Sequence, residues 1–72
     1  MGTAASGPVA TWTYRFVGDD GSVIETVDLA DDRAAEDHGR DVSRRTNALV
    51  KVERRSRHVE SWEYVTEADE RE

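Results

Sequence analysis

Two alternating stretches, each able to fold back on itself, flank a capped helical run and predict an α+β domain of ββαββ order. The expected architecture is a four-stranded, mainly antiparallel sheet with one helix packed on one face. Three observations carry this. Thr11 to Val17 alternates strictly, with Trp12, Tyr14 and Phe16 on one side and the threonines and Arg15 on the other. Ala48 to Thr66 repeats the period-two pattern on both sides of a polar turn. Between them, Asp28 to Asp32 supplies helix-start chemistry, since an Asp side chain accepts from orphan N–H groups and carboxylates suit the positive end of the dipole.

In order along the chain, residues 1–10 are small, contain Gly2, Gly7 and the lone proline Pro8, and read as a disordered lead-in to a single domain over 11–66. After the first strand, Gly18-Asp19-Asp20-Gly21 reads as a turn. A two-residue primed turn at Asp20-Gly21 sets Tyr14 opposite Val27, Trp12 opposite Leu29, Arg15 opposite Thr26 and Phe16 opposite Glu25. The helix follows from about Asp31 to Thr46, with Arg40, Arg44 and Arg45 in its later turns and Asn47 as its C-terminal stop. Its apolar stripe is thin. Ala34, Ala35, His38 and Val42 are the candidates for the inner face, and Gly39 weakens the middle by ~1 kcal/mol relative to alanine.

The second hairpin admits two registers. A two-residue turn at Ser56-Arg57 sets Glu53 against Glu60 and leaves Val50 against Glu63, whereas a turn over Ser56-Arg57-His58 pairs Val52 with Trp62, Val50 with Tyr64, Leu49 with Val65, Lys51 with Glu63 and Arg54 with Glu60. The second is expected, because cross-strand pairs contribute ~0.2–1 kcal/mol each and a one-residue slip moves the apolar set to the wrong face. Trp12, Tyr14, Trp62 and Tyr64 are then expected beneath the small-residue helix, and Glu67 to Glu72 reads as an acidic, disordered tail. The order of the strands stays open.

Tyr14-Arg15-Phe16, Asp19-Asp20-Gly21-Ser22-Val23-Ile24 and Val27-Asp28-Leu29-Ala30-Asp31-Asp32, with Ala34 and Ala35 behind them, resemble the opening of a group of short bacterial proteins of unknown function. Val59 to Val65 is similar to their closing strand. The resemblance spans roughly residues 12–65, through turn and cap signals common to many small α+β domains. It implies a hairpin-helix-hairpin fold and brings no catalytic residues.

Seventy-two residues allow one small domain, and a net charge of −6 argues against general affinity for nucleic acid or anionic membranes. There is no cysteine, hence neither disulfide nor thiolate metal site. The start MGTAASGPVA lacks the basic and apolar runs of a signal peptide, and no segment approaches the ~20 apolar residues of a membrane span, so a cytoplasmic protein is expected. Gly18-Asp19-Asp20 superficially looks like the magnesium-holding hairpin of template-copying polymerases, but turns favour Asp and Gly for backbone reasons alone. His38 and His58 have no ligand spacing, and Ser43, Ser56 and Ser61 lack a glycine-framed nucleophile turn. No catalytic, metal or cofactor site is expected.

The sharpest feature is the charge split. From Arg40 to His58 seven basic residues stand against Asp41 and Glu53, giving +5, so the remaining residues sum to −11. Arg44, Arg45, Arg54, Arg55 and Arg57 are candidates for one basic patch that binds phosphates or an acidic partner; the alternative is that they neutralise the chain's own carboxylates. The sheet face away from the helix is expected to carry Val17, Ile24, Leu49, Val59 and Val65. The function expected is a non-enzymatic protein-interaction module, self-associating or binding a partner protein through that face or a strand edge. A nucleic-acid-binding domain using the arginines is the alternative.

Overall fold

The computed structural model describes residues 12–56 and 60–72. Strands β1 (Trp12–Gly18) and β2 (Val23–Leu29) precede helix α1 (Asp32–Thr46), and β3 (Leu49–Ser56) and β4 (Glu63–Asp69) follow it. All neighbouring strands are antiparallel in one sheet of order β2-β1-β3-β4, with α1 packed on one face. This is the expected ββαββ architecture. The expected disordered lead-in, residues 1–10, lies outside the described residues.

The first hairpin has the register its alternation specifies, with Trp12 opposite Leu29, Tyr14 opposite Val27, Arg15 opposite Thr26 and Phe16 opposite Glu25. Its turn is one residue longer than expected. Gly21 N–H donates to the Gly18 carbonyl at 3.0 Å, Gly18 N–H donates to that of Ser22 at 2.8 Å, and Gly21 takes φ 88°, which only glycine adopts without strain. The extra residue is absorbed by a bulge at Ile24, since Val17 faces Val23 while Phe16 already faces Glu25. Asp20 closes the turn by accepting from Ser22 N–H at 3.0 Å and from its hydroxyl at 2.6 Å.

Helix α1 begins where Asp31 caps it, its carboxylate accepting from Ala34 N–H at 2.9 Å, and ends at Asn47 in the left-handed region at φ 52°. Asp32 in the first turn and Arg44 and Arg45 in the last complement the dipole. The buried stripe is Ala35, Gly39, Val42 and Ser43, with Ala34 and His38 at its margin. It meets Tyr14 and Phe16 of β1 and Val50 and Val52 of β3, all fully buried, with Trp12, Val27, Leu29 and Val65 packed around them.

The second hairpin departs from the expected register. Val50 faces Ala68 rather than Tyr64, Val52 faces Thr66 rather than Trp62, Leu49 faces Asp69, and Lys51 faces Glu67. A bulge at Val65 then sets Tyr64 opposite Glu53 and Glu63 opposite Arg54. The reason is space. The helix lies so close to the sheet that a Cβ on Gly39 would stand 2.9 Å from Val52 Cγ2 and 3.5 Å from Ala68 Cβ, leaving room beneath it for alanine and not for an indole or phenol. Trp62 and Tyr64 are therefore not in the core, and Tyr64 is 61% exposed. The sheet continues through Glu67 to Asp69, so these residues are strand and not tail. Beyond them, Glu70 N–H donates to Ser43 Oγ at 2.7 Å and Glu72 N–H to Asn47 Oδ1 at 2.9 Å, tying the chain end to the helix C-terminus.

Gly39 is thus a contact residue and not merely a weak point of the helix. Replacement by alanine gains ~1 kcal/mol of helix propensity but forces overlap with Val52, and overpacking of this kind costs ~1–3 kcal/mol. Urea unfolding of Gly39→Ala is expected to show a lower midpoint than wild type, and a higher one would mean that α1 does not approach the sheet this closely.

Candidate interaction surface

Alternation along β1 and β3 sorts the charged and aromatic side chains onto two faces. On the helix side, Arg54 Nη1 reaches Asp32 at 2.8 Å and its Nε reaches Glu63 at 3.1 Å, while its guanidinium lies 4.4 Å from the centre of the Trp12 ring. The Tyr14 hydroxyl donates to the same Asp32 at 2.7 Å, and burial, reinforced by that carboxylate, pushes the phenol well above its usual range. At the other end of α1, Arg45 bonds Asp41 at 3.0 Å and Glu25 at 3.3 Å, and Arg44 stands 3.8 Å from both Asp41 and Glu70. His38 Nε2 lies 3.1 Å from Glu25, its ring 4.8 Å from that of Phe16, at the edge of the helix-sheet contact as its sequence position suggests.

The five arginines singled out in the sequence do not gather into one patch. Arg54 meets the first turn of α1, whereas Arg44 and Arg45 lie in its last, roughly 18 Å away along the helix axis. Arg55, one residue after Arg54, points to the opposite sheet face. Arg57, like His58 and Val59, lies outside the described residues. Arg44, Arg45 and Arg54 all pair with the chain's own carboxylates, the neutralising arrangement weighed as the alternative.

Among the described residues no helix or strand covers the face opposite α1. Its centre is Trp62, laid over the sheet with the Arg15 guanidinium 4.3 Å and that of Arg55 4.9 Å from its ring centroid. Arg15 Nε donates to Glu53 at 2.6 Å, and Thr13 donates to Asp28 at 2.8 Å. Among the described residues Arg55 makes no ion pair. Tyr64, beside Glu53, projects into solvent. Of the apolar residues expected on this face, Val17 and Leu49 line a shallow depression of about 280 Å³ with Gly18, Asp19, Lys51 and Glu67. That is just below the ~300–1,000 Å³ of ordinary ligand sites. Ile24 is at the bulge and 40% exposed. Val65 belongs to the other side, packed against the core, because the bulge re-aims it. The open face is thus aromatic and charged where the sequence suggested an apolar one.

Sequence reasoning missed the Trp62 stack because it depends on the β4 register. That Arg15 and Arg55 share a face was legible from alternation alone. Among the described residues no group of His, Asp and Glu is placed to hold a metal ion, and no helix is long and apolar enough to cross a membrane. Ser43 is buried, donating to the Ala48 carbonyl at 2.6 Å, and serves as a joint between α1, the β3 entry and Glu70. Comparison with protein families, curated proteins and solved structures finds no match to this chain.

Two outcomes follow from this placement. Phe16→Ala should lose ~3–5 kcal/mol in chemical unfolding, whereas Trp62→Ala should lose only ~1 kcal/mol, the scale of a surface cation–π contact. Equal losses would return Trp62 to the core. The second concerns acid. His38 first, and Arg45 with it, hold the Glu25 carboxyl below its ordinary value of 4.5. A lowered folded-state value contributes stability that is complete above that ordinary value and is lost as pH falls through the folded one. Glu25→Gln should therefore flatten the acid limb of a stability-against-pH curve, while an unchanged limb would show that the pair contributes nothing.

Proposed function

We propose that this chain is a cytoplasmic, non-enzymatic protein-interaction module whose open sheet face takes a segment of another protein that brings a carboxylate to Arg55. The carrying observation is the Trp62 ring held over the sheet by Arg15 and Arg55, with Tyr64 exposed beside it. Trp, Tyr and Arg dominate the energetics of protein interfaces, and a ring already ordered by its neighbours loses little side-chain freedom on binding. Arg55 offers its planar donors to a carboxylate. His38 and Ser43 are engaged structurally, His38 with Glu25 and Ser43 with Ala48 and Glu70.

A nucleic-acid reading draws on the same face, since uncovered aromatics on a four-stranded sheet stack bases. It is less well supported. Glu53 and Glu67 share the face with Arg15 and Lys51, the net charge is −6, and the arginines of the 40–58 stretch are divided between two faces and two ends of the helix.

A photo-crosslinking residue at Tyr64 tests both readings against the same residue at Arg40 on the exposed side of α1. A discrete protein adduct from position 64, absent from position 40 and lost when Arg55→Ala and Trp62→Ala are added, is the expected result. A nuclease-sensitive adduct transfers the face to nucleic acid. No adduct from position 64 in cells overturns the proposal.

A further inference from the structure

Beyond the open face, we infer that β2 is a self-pairing edge, and that a second copy of this chain adds there in antiparallel fashion, joining two four-stranded sheets into one of eight about a two-fold axis at Val27. Among the described residues two strands lie at the edges of the sheet, β2 and β4. They differ in defence. Along β4 three carboxylates, Glu63, Glu67 and Asp69, and the bulge at Val65 oppose a second acidic strand. Of those three, Glu63 is paired with Arg54 at 3.1 Å and Asp69 with Arg71 at 2.7 Å, which leaves Glu67 without an ion pair among the described residues. Along β2 there are two, and both are occupied: Glu25 by His38 at 3.1 Å and Arg45 at 3.3 Å, and Asp28 by the Thr13 hydroxyl at 2.8 Å.

The helix leaves this edge short of cover. α1 lies chiefly over β3 and β4 and touches β1 and β2 much less. On the helix side Trp12, Val27 and Leu29 are therefore only partly buried; at the start of β2, Val23, which faces Val17 of the open face, and Ile24 at the bulge are 50% and 40% exposed. An apolar strip beside unpaired backbone groups is the arrangement that strand addition completes.

Why the occupant is a second copy follows from the register. The bulge at Ile24 confines regular geometry to Glu25 through Leu29, whose midpoint is Val27. Pairing about that midpoint sets Val27 against Val27 of the second copy, Thr26 against Asp28 on each side of the axis, and Glu25 against Leu29. The centre is then a β-branched pair flanked by two hydroxyl-to-carboxylate pairs, with no carboxylate facing another. Neighbouring registers are worse. Centring on Asp28 or on Glu25 opposes like charges, and centring on Thr26 sets Asp28 against Ile24 within the bulge.

The chain has no cysteine, so single-cysteine variants report the axis directly. Residues facing one another across antiparallel strands have Cα atoms ~4.5–5.5 Å apart, within disulfide reach. Light scattering on the wild-type chain should give twice the monomer mass, mild oxidation should link Val27→Cys into a covalent dimer and leave Arg40→Cys monomeric, and Val27→Glu should give a folded monomer by circular dichroism. A wild-type monomer at every concentration, with Val27→Cys unlinked, overturns the inference. So does a dimer that persists in Val27→Glu. Should Val27→Glu fail to fold, the cysteine pair alone decides. The Tyr64 adduct reports the other face and is independent of this outcome.

Discussion

The close approach of α1 to the sheet at Gly39 is the constraint from which the rest of the structure follows. Phe16 and Val52 face each other across the two central strands, and the helix rests on them at a glycine flanked by Ala35 and Val42. With so few large side chains in 72 residues, burial is obtained by bringing backbone close to backbone rather than by filling a wide interlayer space. What cannot fit in that narrow gap must go elsewhere. Ala68 and Thr66 occupy the β4 positions beneath the helix, and Tyr64 of that strand and Trp62 just before it lie outside the gap.

Legibility in the sequence divides along the same line. The first hairpin was readable to the residue pair, because alternating aromatics and a Gly-bearing turn constrain each other locally; only the turn length differed, and the bulge at Ile24 removed its effect on register. The C-terminal stop at Asn47 and a helix start within Asp28 to Asp32 were readable for similar reasons, and the structure fixes the N-cap at Asp31. The second hairpin was not. Maximising apolar cross-strand pairs favoured Val52 with Trp62, but the decisive term was the volume available under Gly39, which is a property of the assembled layers. The segment Glu67 to Glu72 looked like a solvated tail because its one buried side chain, Ala68, is an alanine set among acids.

The surface follows from that packing. Charge runs in the sequence suggested a single basic patch, yet β alternation divides Arg54 from Arg55 and the helix length divides both from Arg44 and Arg45. Among the described residues Arg15, Arg40, Arg44, Arg45, Arg54 and Arg71 pair with the chain's own carboxylates, in surface pairs that each contribute ~0–1 kcal/mol and mainly fix orientation. What is left is an aromatic and guanidinium stack on the open face and a lightly guarded edge at β2. Both are consequences of a helix that covers only half of one face.

The most direct measurement of this account is the set of nuclear Overhauser contacts made by the Trp62 indole in solution. Contacts to the side-chain protons of Arg15 and Arg55, with none to the methyl groups of Ala35 or Val42, are the result the structure requires. Contacts from Trp62 to Ala35 and Val42 would place it under the helix and contradict the packing of α1 on the sheet at Gly39.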